Sequence, residues 1–363
     1  TSGSTGEPKG VMLTYGNVSS NVAAIDEVIH THPHDVVVGV LPFFHAFGYT
    51  VTLWTMLAFD IAAAFHVNPL DARSVGKLSR EQKGTILLVT PIFLRGYIGR
   101  CDPADFASLE VLITGGEKLP VAVADAFEAK FGIRPIEGYG CTETSPFIAA
   151  NVPLSRATGR QRHASREGTV GLPSPGVQVK VLDLDTGAPL GPNEQGMLWV
   201  KGPNVMKGYL GRPDATAEVI KDGWYRTGDV VTIDDDGFIT IVGRVSRFAK
   251  IGGEMVPHLA VEEALTTIVG TDEQGGQRAV VISAPDPAKG ERLVVVHLPL
   301  AMNPSEITSR LAKSGMPKLY LPDNDSFVEI DEFPMIGIGK LDLRAITRIG
   351  QAAMQERGLL RKR

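Results

Sequence analysis

The sequence predicts an α/β protein with a large domain of parallel sheets flanked by helices plus a small antiparallel β subdomain, followed by a smaller α+β C-terminal domain. Short continuous apolar runs alternate with helical stretches in the first part of the chain, a pattern typical of parallel strands covered on both faces. Beyond residue 168 the strands are separated by tight turns such as Asp-Gly, which favours antiparallel pairing. The length of 363 residues allows two or more domains.

The first part of the chain supplies the parallel strands and their covering helices. Apolar spacing predicts helices over 17–29 and 121–131, and strands over 36–41, 85–90 and 109–114. The apolar run 49–65 is shorter than the span of about 20 residues that a membrane-crossing helix needs. It is therefore predicted to be a buried helix followed by a strand. The loops after such strands, at 42–45, 114–117 and 138–140, are candidate ligand-binding loops.

The later part of the chain has the sequence pattern of antiparallel strands. Antiparallel strands are predicted over 177–182 and 197–201, with a hairpin formed by 230–233 and 238–241. We predict two domains, 1–243 and 244–363. The second contains helices near 259–268 and 304–313 and strands near 279–283, 292–297 and 326–330. The polar, arginine-rich stretch 151–167 is expected to be a mobile surface loop.

Composition narrows the function. The formal charge of −5 and the lack of a basic stripe argue against nucleic acid as a partner. Two cysteines, Cys101 and Cys141, are too few and too far apart for a disulfide scaffold or zinc site. A reducing, cytoplasmic environment is therefore expected.

The first ten residues predict an anion-binding loop. Glycines let backbone N–H groups approach oxygens closely, hydroxyls add donors, and a lysine supplies the cation. The residues concerned are Thr1, Ser2, Gly3, Ser4, Thr5, Gly6 and Lys9. Pro8 and Gly10 flank the lysine, so the loop is not a Walker A motif. Composition alone would equally allow a flexible linker.

The order of these residues resembles the phosphate-binding loop of the adenylate-forming enzymes, which include acyl-CoA synthetases, luciferases and peptide-synthetase adenylation domains. That resemblance implies ATP and Mg²⁺ as cofactors. In the family this loop follows a large N-terminal portion, so we expect the chain to be a fragment with weak or no turnover by itself.

Two further loops match the family's motifs. In 42–48, aromatic residues surround His45, which on general grounds is a packed or turn histidine; the resemblance implies that it positions the substrate carboxylate. In 137–144, an aromatic, a hydroxyl and a carboxylate suit a purine and Mg²⁺, although Thr142 would also serve as a helix cap. The resemblance implies that Tyr139 stacks on adenine and Thr142 lies near the α-phosphate. Glu143 and Thr5 would bind Mg²⁺. The other nucleotide-binding candidates are Gly115, Gly116, Glu117, Glu137, Gly138 and Gly140.

The remaining motifs concern the ribose, a hinge and a catalytic lysine. Asp229, expected at the end of a tight turn, and Arg244 resemble the family's ribose contacts. Ser246 matches the hinge position of a mobile C-terminal domain. Lys250, Gly252 and Gly253 would serve the thioester half-reaction. Lys340, on general grounds an exposed charge, matches the lysine that stabilises the adenylation transition state.

Three stretches, 247–256, 285–291 and 315–320, resemble the acyl-acyl-carrier-protein synthetases that are fused to lysophospholipid acyltransferases. The resemblance implies activation of a medium- or long-chain fatty acid and transfer to the phosphopantetheine thiol of an acidic acyl carrier protein. Lys313, Lys318, Arg361, Lys362 and Arg363 are candidates for capturing that partner, although the last three are more readily explained as a solvated charged tail. Peripheral membrane association through a preceding region is a further expectation. Two alternatives stay open: an acyl- or aryl-CoA ligase, and a non-catalytic nucleotide- or acyl-binding fragment.

Overall fold

The computed structural model describes residues 1, 8–159, 164–272, 276–336 and 340–359, without the side chains at 336 and 340. The chain divides into two compact units, Thr1–Ile241 and Val242–Arg363. No helix within those described ranges is long and apolar enough to span a bilayer.

The first unit contains six α-helices among its described residues, and a π-helix, Phe47–Trp54, precedes the second of them. The α-helices are α1 (Tyr15–Ile29), α2 (Thr55–Phe59), α3 (Ala72–Gln82), α4 (Pro91–Arg100), α5 (Val121–Phe131) and α6 (Pro213–Val219). The strands are β1 (Val11–Met12), β2 (Val36–Gly39), β3 (Ala62–Phe65), β4 (Ile86–Val89), β5 (Val111–Thr114), β6 (Ile136–Gly140), β7 (Phe147–Ala150), β8 (Leu172–Pro173), β9 (Gln178–Leu182), β10 (Gly196–Lys201), β11 (Gly208–Tyr209), β12 (Ile220–Lys221), β13 (Trp224–Ile233) and β14 (Ile239–Arg244), the last of which crosses the division.

A seven-stranded sheet forms the centre of the first unit, in the order β3-β2-β4-β5-β6-β7-β8. Strands β2 to β6 run parallel, and β7 and β8 are antiparallel additions. Every residue of β4 and β5 is buried, as expected for strands covered on both faces. The α/β fold class with a parallel sheet is thereby confirmed.

Helix α1 follows the predicted phosphate-binding loop and the short strand β1, and it has a well-defined start. Thr14 and Asn17 form a reciprocal capping box that satisfies two backbone N–H groups at the helix N-terminus. The helix ends at His30, which adopts a left-handed conformation with φ of 45°. One face of α1 packs Ile25, Val28 and Ile29 into the main hydrophobic core.

The amino ends of β2, β4 and β5 are joined by a buried ion pair. Arg156 donates to the carboxylate of Asp35 at 2.6 and 3.0 Å, and their side chains are 1% and 0% exposed. Arg156 also contacts Glu110 at 2.8 Å, and Thr85 donates to Asp35 at 2.7 Å. His34, Asp35 and Glu110 lie close enough to suggest a cation site, but the Arg156 guanidinium already supplies the positive charge there.

This ion pair corrects the expectation for the stretch 151–167. Rather than a mobile surface loop, its described part is anchored: Asn151 and Ala164 are buried as well as Arg156. Asn151 donates to the backbone oxygen of Thr169 at 2.7 Å. A polar, arginine-rich composition predicts a solvated loop, but here Arg156 is the counter-ion of a buried acid.

An antiparallel sheet follows, in the order β12-β13-β10-β9, with β14 paired to β13. Its inner face carries Val181, Leu198, Val200 and Ile239 in a second hydrophobic cluster. A separate two-stranded ribbon pairs β1 with β11.

The second unit is an α+β arrangement. Its strands are β15 (Phe248–Ile251), β16 (Glu254–Pro257), β17 (Ala279–Asp286), β18 (Gly290–His297), β19 (Phe327–Glu329), β20 (Met335–Ile336) and β21 (Lys340–Leu341), and its helices are α7 (His258–Val269), α8 (Pro304–Lys313) and α9 (Leu343–Glu356). The main sheet has the order β16-β15-β18-β17, and β19 pairs with β18 in parallel. Helices α7 and α8 pack on a cluster that includes Leu265 and Leu311, whereas α9 contributes Ile346 and Met354 to another.

Candidate nucleotide and acyl-activation site

The structure joins the predicted adenine and ribose residues directly. The hydroxyl of Tyr139 on β6 donates to Oδ2 of Asp229 on β13 at 2.5 Å, although the two lie 90 positions apart. Asp229 is 3% exposed. Burial, followed by the nearby Asp229 carboxylate, raises the pKa of Tyr139 well above its usual value. Tyr139 therefore remains a protonated donor that fixes the orientation of Asp229.

A β-bulge places Asp229. The sequence suggested a tight turn ending at this acid, but β13 runs continuously from Trp224 to Ile233. Arg226 pairs with Trp199 and Val230 with Met197, so the strand carries extra residues between those pairs. Gly228 lies in that bulge with φ of +80°, which glycine tolerates without strain. Bulges re-aim side chains next to functional sites, and this one brings Asp229 to Tyr139.

The predicted metal ligand is held by a tyrosine. Glu143 lies in the 3₁₀-helix Thr142–Thr144 and is 7% exposed. The Tyr209 hydroxyl donates to its Oε1 at 2.9 Å. Burial, followed by the adjacent Glu143, raises the pKa of Tyr209, so the hydroxyl stays protonated. Among the described residues, Tyr209 is the only hydrogen-bond donor to the Glu143 carboxylate, so Oε2 is available to a cation.

Lys9, at the end of the predicted phosphate-binding loop, contacts the same tyrosine. The Lys9 ammonium lies 4.8 Å from the centroid of the Tyr209 ring, within cation–π range. Immediately after Lys9 and Gly10, Val11 of β1 pairs with Tyr209 of β11. Lys9 and Thr1 exchange two backbone hydrogen bonds, at 2.7 and 2.8 Å. The assignments to Ser2, Gly3, Ser4, Thr5 and Gly6 lie outside the described residues.

Two asparagines of α1 hold the loop of the predicted metal ligand Glu143 in place. Asn21, 1% exposed, donates to the backbone oxygens of Thr144 and Phe147 and accepts from the Phe147 N–H at 2.8 Å. Asn17 donates to the backbone oxygens of Pro203 and Val205 at 2.6 and 2.9 Å. The helix that follows the phosphate loop therefore positions the Glu143 loop and the segment leading to Tyr209.

The glycine-rich loop after β5 is organised by Glu137. This buried carboxylate accepts from the backbone N–H of Leu119 at 3.0 Å, so it holds the loop containing Gly115 and Gly116. A Cβ at Gly115 would lie 3.2 Å from Phe47 and 3.4 Å from the Gly138 oxygen. A Cβ at Gly140 would lie only 1.8 Å from the Pro146 oxygen. Packing against the Pro146 backbone is therefore sufficient to explain the glycine at position 140, without any ligand.

His45 is exposed and begins a helical segment. Its backbone oxygen accepts from the Tyr49 N–H at 2.8 Å. An apolar groove of about 450 Å³ lies beside this segment. Its lining includes Leu13, Val18 and Val22 from the α1 side, and Tyr49, Trp54 and Phe59 from the π-helix and α2.

The second unit carries the hinge and lysine candidates. Arg244 ends β14, and exposed Ser246 lies in the 3₁₀ turn Val245–Arg247. Arg247 forms a bidentate ion pair with Glu262 of α7 at 2.6 Å. That pair attaches the residue after Ser246 firmly to the second unit.

Two hairpins carry the remaining candidates. Gly252 and Gly253 form the two-residue turn between β15 and β16, with φ of 60° and 92°, values suited to a type I′ turn. The Lys250 N–H donates to Glu291 at 2.5 Å. Lys340 pairs with Ile336 in the β20–β21 hairpin; its side chain, on which its predicted role depends, lies outside the described residues.

Sequence reasoning missed the residues that hold the candidate site loops in place. Tyr209, Asn17 and Asn21 carry no motif of their own, because each acts through a neighbouring loop. Asn17 and Asn21 are spaced four residues apart on an otherwise apolar helix face, and that spacing was the available signal.

Comparisons with known proteins identify the family. A family model described as "AMP-binding enzyme" matches residues 1–210. The long-chain-fatty-acid–CoA ligase of Bacillus subtilis is 32% identical over 94% of this chain, and the feruloyl-CoA synthase of an Amycolatopsis species is also 32% identical over 94%. The chain spans 59% of the length of the first relative and 67% of the second.

Solved structures give the same result. ATP-bound MatB from Rhodopseudomonas palustris has 27% identity and a TM-score of 0.84, covering 96% of this chain and 66% of that one. O-succinylbenzoate–CoA synthetase from Bacillus subtilis, in complex with ATP and magnesium, has 26% identity and a TM-score of 0.81, covering 96% and 68%. The resemblance proposed from the motifs is confirmed, and the chain belongs to the AMP-binding enzyme family of adenylate-forming proteins.

Proposed function

We propose that this chain carries the nucleotide site of an AMP-forming acid–thiol ligase. In the first step a carboxylate oxygen attacks the α-phosphorus of ATP, forming an acyl-adenylate and releasing pyrophosphate. In the second step a thiol attacks the acyl carbonyl and releases AMP. The observation that carries the proposal is the Tyr139–Asp229 hydrogen bond, which joins an aromatic for the purine to an acceptor for the ribose hydroxyls.

The metal-binding residues fit the same proposal. A buried carboxylate with one oxygen held by a tyrosine offers the hard oxygen ligand that Mg²⁺ prefers. Glu143, with Thr5, would hold the ion, which would neutralise triphosphate charge. Lys9 would face the phosphates, and Lys340 would stabilise charge as pyrophosphate leaves.

For the acid, we propose a fatty acid bound with its carboxylate near His45. The apolar groove beside Tyr49 supports this assignment, since its volume of about 450 Å³ falls in the range of about 300–1,000 Å³ that is usual for small-molecule sites. The long-chain-fatty-acid–CoA ligase among the relatives also supports it. Val18→Trp should fill the groove and shift preference from long to short acids.

For the thiol, the names of the relatives favour CoA, and the stretches 247–256, 285–291 and 315–320 favour a carrier protein. Both acceptors present the same phosphopantetheine thiol. We propose CoA as the first acceptor to test and the carrier protein as the second. Because Lys340 and the thiol would need the same carbonyl at different times, we also propose that the second unit rotates about Ser246 between the two steps.

The experiment has a binding arm and a reaction arm. The binding arm measures, by calorimetry, the affinity of the chain for an acyl-sulfamoyl adenosine, a stable mimic of the acyl-adenylate. The reaction arm measures acid-dependent ATP–pyrophosphate exchange, then thioester formation with CoA or holo-carrier protein. Glu143→Gln should lower exchange about a hundredfold or more, the scale for loss of one preorganised electrostatic group. Glu81→Gln, an exposed acid on α3, is the matched control.

The outcomes separate the hypotheses. Acid-dependent exchange, even at a low rate, would exclude a purely non-catalytic nucleotide- and acyl-binding role. Failure to bind the adenylate mimic would contradict the proposed site itself.

A further inference from the structure

The outer face of the antiparallel sheet is unusually cationic. We define the cation–tryptophan face as Lys180, Trp199, Lys201, Lys221, Trp224 and Arg226. Trp199 stands opposite both Lys180 and Arg226 in the strand register, and Lys221 stands opposite Trp224. Residues directly opposed across antiparallel strands share a face. The inner face of the same strands is apolar, so the sheet has one packed side and one charged side.

The lysines are arranged over the indoles. The Lys180 ammonium lies 4.2 Å from the Trp224 ring centroid and 5.8 Å from that of Trp199. Lys201 lies 5.9 Å from Trp224. Lys201, Lys221 and Arg226 are exposed. In the described part of the chain none of these four cations forms an ion pair. Lys201 donates to the backbone oxygen of Asp222, in the adjoining turn, at 3.3 Å.

We infer that the cation–tryptophan face docks the protein on an anionic lipid surface. Clustered lysines and arginines bind acidic headgroups, and tryptophan rings favour the headgroup level of a bilayer. The formal charge of −5 would repel the whole protein from such a surface. Only a local patch acting within the screening distance of about 8 Å can reverse that repulsion.

Patch size favours lipid over an acidic protein. Four strands about 4.8 Å apart and a run of about three residues give a patch of about 150 Å². A standard protein–protein interface needs about 800 Å² from each partner and a shaped, largely desolvated centre. A flat bilayer requires no shape complementarity, so a small cationic sheet face is sufficient. The inference rests on the sheet alone and stands independently of the proposed ligase function.

The test is sedimentation of the chain with phosphatidylcholine vesicles, with and without phosphatidylglycerol. Each lysine near an anionic surface contributes about fivefold to binding, so Lys201→Gln/Lys221→Gln should weaken partitioning about thirtyfold. Arg73 on α3 and Arg100 at the end of α4 are exposed cations. Arg73→Gln/Arg100→Gln removes the same charge elsewhere and should change partitioning little. Lys201→Arg/Lys221→Arg should preserve it.

Tryptophan fluorescence gives an independent readout. Brominated anionic lipids should quench Trp199 and Trp224 and leave Trp54 unquenched, as checked with single Trp→Phe variants. Equal binding to neutral vesicles, or an equal loss in the Arg73/Arg100 control, would overturn the inference. Binding to polyglutamate but not to vesicles would assign the face to an acidic protein instead.

Discussion

Arg156 offers the sharpest test of what holds the first unit together. It donates to three acceptors, the His30 oxygen at 3.0 Å and the two Asp35 oxygens at 3.0 and 2.6 Å, and it forms an ion pair with Glu110 at 2.8 Å. Arg156→Met keeps much of the side-chain volume but removes the cation. Asp35, fully buried, would retain hydrogen bonds from Thr85 and His32 without a counter-ion.

The expected loss is large. Removing one partner of a buried ion pair costs about 3–5 kcal/mol. Arg134→Met is the matched control, because Arg134 contacts three acids that are 47–60% exposed. Exposed pairs contribute up to about 1 kcal/mol. The double variant Asp35→Asn/Arg156→Met should lose less than the sum of its single variants, since neither charge is then left unpaired.

Urea unfolding followed by tryptophan fluorescence measures the free energy of unfolding of the first unit. All three tryptophans, Trp54, Trp199 and Trp224, belong to the first unit, so the signal reports that unit. A loss below about 1 kcal/mol for Arg156→Met, or additive losses in the double variant, would refute the reasoning.

The same variant has a defined pH dependence. Burial alone raises the pKa of Asp35, but hydrogen bonds from Arg156, Thr85 and His32 outweigh it and lower the pKa. A carboxylate whose pKa is lowered in the folded state stabilises the fold at pH values above its pKa in the unfolded chain, about 3.9. That stabilisation is lost as the pH falls through the folded-state pKa. The penalty of Arg156→Met should therefore be full at pH 7 and shrink below about pH 4.

Four further predictions concern the site and the second unit. Tyr209→Phe removes the donor to Glu143 and should raise the Mg²⁺ concentration for half-maximal ATP binding about tenfold or more, since hydrogen bonds to charged groups contribute about 1.5–3 kcal/mol; an unchanged Mg²⁺ titration would contradict this. Lys340→Ala should slow adenylation about a hundredfold and spare thiol transfer from supplied acyl-adenylate; equal damage to both steps would reject the assignment. Ser246→Pro should impair one half-reaction, most plausibly thiol transfer, much more than the other in single-turnover kinetics, because proline fixes φ; equal effects would place the hinge elsewhere. Burial, followed by Arg247, lowers the pKa of His258 to about 3, so stability should fall as pH drops from about 6.5 towards 3. His258→Leu should reduce this dependence of stability on pH, as measured by amide hydrogen exchange in β17 and β18. An unchanged dependence on pH would contradict the role assigned to His258.

Much of the fold could be predicted because its strongest signals are local. Continuous apolar runs located β2, β4 and β5 to within two residues at each end, and helical spacing located α5 and α8 at their observed bounds. The misinterpretations were at 151–167 and at Asp229. A buried counter-ion and a β-bulge both depend on partners that are distant in sequence, which composition and turn signals do not report.

The candidate site shows the same division. Motif residues that would face the nucleotide were identifiable from sequence, since their chemistry suits the ligand. The residues that orient them were not, because Tyr209, Asn17 and Asn21 act through other loops of the protein. Glu137 illustrates the difference: predicted as a nucleotide contact, it has a structural role here, accepting from the Leu119 backbone. Whether it also contacts nucleotide stays a prediction.

The residues at the amino ends and at the carboxyl ends of the parallel strands have different roles. At the amino ends of β2, β4 and β5, Asp35, Thr85 and Glu110 are joined by Arg156, and their charges are used within the protein. The loops that contain His45 and Gly115 lie at the opposite, carboxyl ends of the strands and are candidates for ligand binding. Proteins of the α/β class bind ligands outside the carboxyl ends of their strands. An acidic cluster at the amino ends is therefore better explained by a role in stabilising the fold than by a role in catalysis. Substitutions at Arg156 should therefore lower the free energy of unfolding while leaving the affinity of the folded protein for the adenylate mimic unchanged.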